Sequence, residues 1–480
     1  MEGATEPKRP AVQTNVKRRL DDLPAPSALP WLGNLHQLHP KRLHAQLEAW
    51  GRELGPTFTF KIGPKRFLVT SDVEIALAAL RDRPGRFRRL STIEPVAAEM
   101  GINGLFSVEG EAWRPQRNLV TRALAPHQLE SFFPTLQLIS DRLRRRWQQS
   151  VDAGTDTDAL QDLTRFTVDT TATLVFGKDV NTLESDEDAI QRHIGVIFPM
   201  VSYRVNALLP YWRYFKLPRD RRLDRSLQAV RTFAEEMIGH ARERMRRPQG
   251  GSPSNLLEAM LALRDEPESG FSDDDVYANI ITLLLAGEDT TAYSLAWAMY
   301  ILAGNPELQS RLHRAALDAL GEARGPMTFA DTAKLGLFEG VAFEAMRMRP
   351  VAPLNFLEAN ETAELAGIEI PKGTPVFLLT RPATLDDTNY QDAKDFKPER
   401  WVGRREGARD GHSTRAFMQF GAGPRFCPGR YLATLEMKMV LATLSRNFSI
   451  EHAEDPAITQ EVFAFTMMPS RLRLRLRSIA

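Results

Sequence analysis

Apolar and polar positions along most of the chain repeat with the spacing of α-helices. From about residue 72 to residue 360 this helical period dominates, with few strand signals. Alternating patterns are confined to short stretches, chiefly Thr57 to Ile62 and Arg66 to Thr70, which a Gly-Pro turn joins into a predicted hairpin. No fixed-period repeat or long low-complexity linker divides the chain. The pattern predicts a mainly α fold with a small β-rich part, in a single domain over residues 23–480.

The longest apolar segment predicts one buried helix from Asp273 to about Ala303. Ser272 and the aspartates after it suit a helix N-terminus, and apolar residues then occupy nearly every side. The longest apolar run, residues 280–287, is far shorter than the roughly 20 residues that a membrane span needs. Residues 1–22 are polar and basic, so we expect a flexible N-terminal arm and no signal peptide or anchor. These features predict a soluble, cytoplasmic protein.

Composition and charge narrow the possible functions. The chain is 43% hydrophobic and 26% charged, which indicates a folded core. A formal net charge of +1 gives no overall field for nucleic acid, so the basic runs are interpreted as solvated helix faces. A single cysteine excludes an intrachain disulfide and a cysteine-rich zinc site, and the nine histidines lack the spacing of a zinc-binding helix.

The only cysteine, Cys427, lies in the stretch Phe-Gly-Ala-Gly-Pro-Arg-Phe-Cys-Pro-Gly at residues 420–429. A thiolate is a soft, strongly donating ligand that can hold an axial position of a haem iron without a protein partner. The three glycines permit tight turns and the close approach of a flat ligand. The apolar residues that follow predict a helix whose N-terminus favours a thiolate. The alternative is a small buried hydrophobe, the usual role of an isolated cysteine.

A run of small, acidic and hydroxyl residues, Ala-Gly-Glu-Asp-Thr-Thr, lies in the middle of the long apolar helix. Ala286 and Thr290 share one face, and the threonine hydroxyl can bond to the carbonyl four residues back. With Gly287, this competition is expected to loosen the helix and leave a groove for dioxygen and a water. Glu288 and Asp289 are unusual in so apolar a helix, which favours a functional role over a packing notch.

Two other segments place arginines beside aromatic or acidic side chains. Trp113 and Arg117 share a helix face and could grip an anionic group; the alternative is a surface tryptophan stacked on an arginine. Glu344 and Arg347 face each other in an otherwise apolar helix, where a buried pair needs further hydrogen-bond partners. Arg400 could complete such a cluster. An E-x-x-R spacing alone occurs by chance in many helices.

Taken in order, these segments resemble the cytochrome P-450 family of haem-thiolate monooxygenases. The cysteine loop matches F-x-x-G-x-R-x-C-x-G, the helix run matches A-G-x-[DE]-T-[TS], and the others resemble the W-x-x-x-R, E-x-x-R and P-E-R-[FW] elements. The resemblance spans most of the chain and implies the family's fold, with haem between the long central helix and the helix after the cysteine loop. It implies an iron ligand at Cys427; haem contacts at Trp113, Arg117, Ala286, Gly287, Phe420, Gly423, Arg425 and Gly429; catalytic roles for Glu288, Asp289 and Thr290; and a structural cluster of Glu344, Arg347 and Arg400.

The resemblance implies an enzyme that inserts one oxygen atom from O2 into a hydrophobic small molecule, with haem b as cofactor. Thr290 would steady the activated oxygen and Asp289 would relay protons. Electrons would come from NAD(P)H through a separate ferredoxin, flavodoxin or flavoprotein reductase, because no glycine-rich nucleotide fingerprint and no fused reductase domain are found. We expect a monomer that binds no nucleic acid. Ala286, residues 351–356 and residues 465–467 would line an apolar substrate pocket.

Two segments depart from the family pattern, and one of them is residues 384–387, which stand where many relatives have a histidine-arginine-aspartate-proline run. No basic residue occurs from residue 350 to residue 371, and Leu357 stands on the strand where many relatives place an arginine for a haem propionate. The propionates would then have to be bound mainly by Arg425, Arg117 and Trp113.

Three other functions stay open at this point. A haem-thiolate peroxygenase or isomerase would share the cysteine loop but would not need the acid and alcohol of the long helix. A redox-inactive haem sensor and a non-enzymatic carrier are the other two.

Overall fold

Helices make up most of the computed structural model, which describes residues 17–185, 189–207, 209–246, 253–267, 269–403 and 413–479. The prediction of a mainly α fold with a small β-rich part is confirmed. Within these ranges the α-helices, numbered in chain order, are α1 (Leu43–Leu54), α2 (Val73–Arg81), α3 (Ile93–Glu99), α4 (Trp113–Ala123), α5 (Pro126–Asp152), α6 (Ala159–Phe176), α7 (Ala189–Val205), α8 (Pro218–Arg246), α9 (Leu256–Arg264), α10 (Asp273–Ala303), α11 (Pro306–Leu320), α12 (Gly336–Met348), α13 (Arg381–Thr384) and α14 (Arg430–Asn447).

The strands form small sheets at the margin of the helical body. In the described residues they are β1 (Arg18–Arg19), β2 (Thr57–Ile62), β3 (Lys65–Thr70), β4 (Phe87–Arg89), β5 (Thr157–Asp158), β6 (Leu354–Ala359), β7 (Ala363–Leu365), β8 (Ile368–Ile370), β9 (Pro375–Leu379), β10 (Phe448–His452), β11 (Glu461–Ala464), β12 (Thr466–Pro469) and β13 (Arg473–Ser478). The predicted hairpin is β2 and β3, and it extends into a five-stranded sheet in the order β2-β3-β9-β6-β4.

The predicted flexible N-terminal arm, residues 1–22, includes residues that are part of the folded structure. Its last part is structured, because β1 pairs in parallel with β8 and Leu20 is buried against the sheet. Apolar burial of Leu20 is the physical reason that the boundary lies earlier than the charge pattern indicates. Residues 1–16 lie outside the described residues.

Helix α10 is the centre of the helical core. Its side chains Leu295, Ala296 and Trp297 are almost completely buried, and it packs closely along α6. A side chain at Gly287 would approach Thr171 of α6 to 2.8 Å, so this glycine permits the close helix contact. The expected loosening is not seen, since α10 is helical from Asp273 to Ala303 without interruption. No described helix is both long and apolar enough to cross a membrane.

A buried ionic cluster joins α12 to the segment that precedes the cysteine loop. Glu344, fully buried, accepts hydrogen bonds from Arg347 Nη2 at 2.8 Å, Arg400 Nε at 2.9 Å and Trp401 Nε1 at 2.8 Å. Arg347 also donates to the backbone oxygen of Thr384 at 2.6 Å. Burial alone would raise the pKa of Glu344, but its bonds to Arg347 and the other donors hold that pKa below the usual value.

Replacing Glu344 with alanine is expected to lower the free energy of unfolding by about 3–5 kcal/mol, because Arg347 would remain buried without its carboxylate. Urea unfolding of the purified variant measures this. Glu399→Ala, which removes only an exposed partner of Arg311, is the control and should cost less than about 1 kcal/mol. Equal losses for the two variants would contradict a structural role for the cluster.

Candidate active site

A cavity of about 310 Å³ lies between α10 and the start of α14. Its wall includes Ala286, Gly287 and Thr290 of α10. Cys427 and Gly429 of the cysteine loop also line it. Two segments that are far apart in the sequence therefore share the wall of one cavity, which is in the size range of small-molecule sites.

The cysteine loop is a compact turn that presents its sulfur to this cavity. The backbone N-H of Cys427 donates to the carbonyl of Phe420 at 2.8 Å, which closes the loop, and α14 begins at Arg430. Burial raises the pKa of the Cys427 thiol, whereas the backbone N-H groups of Gly429 and Arg430 and the charge of Arg117 favour the thiolate. A metal cation bound at the sulfur would further lower the pKa of the thiol and stabilise the thiolate.

Gly423 is not among the residues that line the cavity, so its predicted haem contact stays a prediction. Its φ is +66°, and a Cβ there would lie 2.6 Å from the backbone oxygen of Leu80 in α2. The glycine lets the cysteine loop pack against α2, because both its conformation and its space exclude a side chain. Phe420, Arg425 and Gly429 do line the cavity, as expected from the family pattern.

Gly423→Ala is expected to lower the free energy of unfolding by about 2–4 kcal/mol, since it adds left-handed backbone strain and a steric overlap with α2. Gly421→Ala is a matched control. Gly421 also has a positive φ, of +76°, but its nearest neighbouring atom would be 3.8 Å away, so only strain of about 1 kcal/mol applies. Thermal unfolding compares the two. Equal effects would show that packing on α2 is unimportant.

Thr290 of α10 lines the cavity and makes the predicted bond to the carbonyl four residues back. Its Oγ1 donates to the carbonyl oxygen of Ala286 at 2.7 Å. Ser294 Oγ in turn donates to the carbonyl of Thr290 at 2.7 Å. These bonds fix the hydroxyl rotamers on the wall without interrupting the helix.

The two carboxylates beside Thr290 do not lie on the cavity wall. Glu288 is buried, and Asp289 is hydrogen-bonded to the hydroxyl of Tyr293. Burial raises the pKa of Asp289 to about 6, while Tyr293 acts in the opposite direction. Asp289 can therefore change its protonation state near neutral pH, although its side chain is turned away from the space that Thr290 faces.

The structure adds a carboxyl group that the sequence reasoning missed. Glu436 of α14 lies on the cavity wall, is only 2% exposed and hydrogen-bonds to Thr291. Burial raises its pKa to about 8, so the group is neutral at pH 7. An acidic residue nine positions after the cysteine, between the apolar residues Leu435 and Met437, was the available signal.

The raised pKa of Glu436 predicts a pH dependence of stability. The folded protein keeps this proton up to about pH 8, whereas the unfolded chain releases it near 4.5, so stability falls as pH rises between these values. Glu436→Gln should flatten that fall by up to about 4 kcal/mol, measured by urea unfolding across the range. Glu322→Gln, at an exposed loop position, should leave the profile unchanged. Identical profiles for wild type and Glu436→Gln would contradict the assignment.

Cationic side chains line another part of the cavity. Arg117 and Arg425 are both on the wall, and Trp113 lies beside them with the guanidinium of Arg425 4.4 Å from its ring centre. Arg425 also pairs with Glu109 at 2.8 Å. Trp113 therefore stacks on Arg425, an arginine of the cysteine loop. It also lies on the same face of α4 as Arg117. Burial is the main cause that lowers the pKa of Arg425, to about 10.

The remaining wall comes from segments that sequence patterns could not assign. Residues 465–467 are absent from the described lining: Met467 is fully buried elsewhere, and Phe465 packs edge-on against Phe106. The loop before α4 and helix α6 contribute in their place, because the tertiary packing brings them over α10. The apolar side chains of the wall include Leu105, Phe106, Leu174, Val175, Leu283 and Val351.

The residues present fit a haem group. One thiol, that of Cys427, lines the cavity, and arginines on the same wall suit the carboxylates of a porphyrin edge. Among the described residues, the side-chain amide of Gln419 and Nε of Arg425 are buried without a hydrogen-bond partner. Buried orphan donors beside a cavity are typical of a site that receives a polar ligand.

Comparisons with known proteins agree with this geometry. The sequence profile of the family described as Cytochrome P450 matches residues 23–476. Pentalenene oxygenase of Streptomyces avermitilis is 27% identical, covering 94% of this chain and 96% of that protein. The mitochondrial 25-hydroxyvitamin D-1 alpha hydroxylase of Homo sapiens is also 27% identical, covering 95% and 92%. Protein LUTEIN DEFICIENT 5, chloroplastic, of Arabidopsis thaliana is 26% identical, covering 83% and 68%.

Proposed function

Because the chain belongs to the cytochrome P450 family, we propose that this haem monooxygenase hydroxylates a hydrophobic small molecule with electrons from a separate redox protein. The observation that carries the proposal is that Cys427 and Thr290 line the same cavity. When bound, a haem with a thiolate ligand supplies dioxygen activation. The remaining roles belong to side chains of the protein.

Thr290 is the residue proposed to position a proton donor at the reacting oxygen. Its hydroxyl bonds to the carbonyl of Ala286, so its oxygen is held on the cavity wall and can accept a hydrogen bond from water. Asp289 would supply protons from the far side of α10, since its raised pKa of about 6 lets it exchange them near neutral pH. Glu288 would support the same route as the adjacent buried carboxyl.

Glu436 offers a second proton store within the same cavity. Its carboxyl is hydrogen-bonded to Thr291, the residue after Thr290, and is neutral below about pH 8. A neutral acid can donate a hydrogen bond where an ionised one cannot. We infer that protons reach the cavity from both faces of α10.

The apolar side chains of the wall, among them Phe106, Leu174 and Val175, support a hydrophobic substrate. The polar exceptions include Asn355 and Thr171, which could fix the orientation of one oxygen of a substrate. A terpenoid, steroid or fatty acid has this chemistry. The names of two relatives, an oxygenase of pentalenene and a hydroxylase of 25-hydroxyvitamin D, point in the same direction.

An acidic ferredoxin, flavodoxin or flavoprotein is proposed to deliver electrons from NAD(P)H on the cysteine side. Arg114 and Arg122 of α4 are exposed and could attract such a partner. Lys438 already pairs with Glu339 at 3.2 Å, and Arg430 is stacked on neighbouring aromatic rings including Phe420. We therefore assign the attraction chiefly to the α4 arginines.

Turnover with NADPH and surrogate redox proteins tests the proposed function. Thr290→Ala should keep the red-shifted carbon monoxide spectrum of the wild type but lower product formed per NADPH by at least about tenfold, because electrons leave as hydrogen peroxide when proton delivery is misplaced. Product, NADPH and peroxide are measured together, after a spin-state screen has supplied a substrate.

Thr173→Ala is the matched control, because Thr173 makes the same bond to a carbonyl four residues back, at 2.7 Å, in α6 and outside the cavity. Its coupling should equal that of the wild type. Equal coupling in Thr290→Ala and Thr173→Ala would contradict the role of Thr290. Product formed from added peroxide but never from NADPH and O2 would favour a peroxygenase.

A further inference from the structure

A second cavity, of about 400 Å³, is lined by α5, α14 and the loop of residues 324–327. Its wall includes Leu138 of α5, Met439 of α14 and Met327 of the loop. Among the described residues, it shares no wall residue with the active-site cavity. Its volume is within the range of small-molecule sites, so a ligand could occupy it independently of the active site.

The loop of residues 324–327 is fixed to both helices by side-chain hydrogen bonds. On the α14 side, the amide of Asn447 donates to the backbone carbonyl of Arg324 at 2.7 Å. On the α5 side, the amide of Gln137 donates to the sulfur of Met327 at 3.4 Å. The loop is therefore anchored at the edge of the cavity, and its residues have defined places on the wall.

Two buried hydroxyl groups of the wall have unused hydrogen-bonding capacity. Ser140 of α5 and Thr443 of α14 both line the cavity, and each is only 4% exposed. Within the described ranges, neither side-chain oxygen has a hydrogen-bond partner. Because an unpaired buried polar group costs free energy, these hydroxyls favour a ligand that carries polar atoms.

The charged residues of the wall favour an anion. Arg144 forms an ion pair with the one carboxylate of the described wall, Asp141, at 2.9 Å. Arg324 is exposed, and no ion pair in the described part of the chain includes it. The wall therefore has one positive charge in excess, which suits a monoanion. Met327 and Met439 supply adaptable apolar surface for the rest of a ligand.

We propose that this second cavity binds a small amphiphilic carboxylate, with its anionic end at Arg324 and its apolar body against Met327 and Met439. The hydroxyls of Ser140 and Thr443 donate hydrogen bonds to its oxygen atoms. The site goes beyond the proposed function and does not require haem, because its wall is separate from that of the active-site cavity.

Octanoate is the probe, and it is titrated into purified holoenzyme labelled with carbon-13 at the methionine methyl groups. The methyl signal of Met327, assigned with Met327→Leu, should shift saturably with octanoate and stay in place with octylamine. Leu138→Trp adds bulk at an exposed position of the wall and should abolish the shift. Leu317→Trp is the matched control and should bind like the wild type, because Leu317 is exposed on α11 outside the wall.

A second pair of variants tests the charge. Arg324→Gln should weaken octanoate binding by about three- to fivefold, the effect of one exposed ion pair. Arg314→Gln should leave binding unchanged, since Arg314 is equally exposed on α11 but is not part of the wall. Absorption spectra recorded in the same titration report any octanoate near the iron as a spin-state change.

Several results would overturn the proposal. The first is a Met327 signal that does not move, or that moves equally in Leu138→Trp. The second is equal octanoate affinity in the wild type and Arg324→Gln, or equal shifts with octanoate and octylamine. The third is a spin-state change that follows the same binding curve as the Met327 shift and survives in Leu138→Trp, because octanoate would then occupy the active-site cavity.

Discussion

The proposed function depends on holding one sulfur atom, that of Cys427, at the wall of a cavity that α10 also lines. The loop that carries it is closed by a hydrogen bond to Phe420, seated against α2 through Gly423 and continued by α14. Upstream, the fully buried Glu344 ties α12 to Arg400 and Trp401, which precede the loop. Each contact restricts the position of the loop, and together these contacts support the proposed role of the Cys427 thiol as an iron ligand.

The residues in and around the cavity include both arginines and carboxyl groups. Arg89, Arg117 and Arg425 line the wall and suit carboxylates of a bound group. Neutral or readily protonated acids lie along α10 and α14, because burial raises the pKa of Asp289 to about 6 and that of Glu436 to about 8. The apolar remainder suits a substrate with few polar atoms. In the proposed function the arginines would hold an anionic cofactor and the acids would supply protons.

Local patterns in the sequence predicted the helical class, the long central helix and the segments that meet at the cavity. The one cysteine and the Ala286 to Thr291 run were recognisable because chemistry and spacing coincide within a few residues. Contacts across long sequence distances were not predictable in this way. Gly287 and Gly423 serve close packing on α6 and α2, the Leu357 position is paired with Arg89 by strand register, and the wall includes α6 in place of residues 465–467. Each depends on which segments become neighbours, and a single sequence does not contain that information.

Iron K-edge X-ray absorption of the purified resting protein tests the central claim most directly. The account predicts one sulfur neighbour of the iron in the wild type and none in Cys427→His, because the chain has no other cysteine. An iron centre surrounded only by nitrogen and oxygen in the wild type, or a sulfur neighbour that persists in Cys427→His, would contradict it.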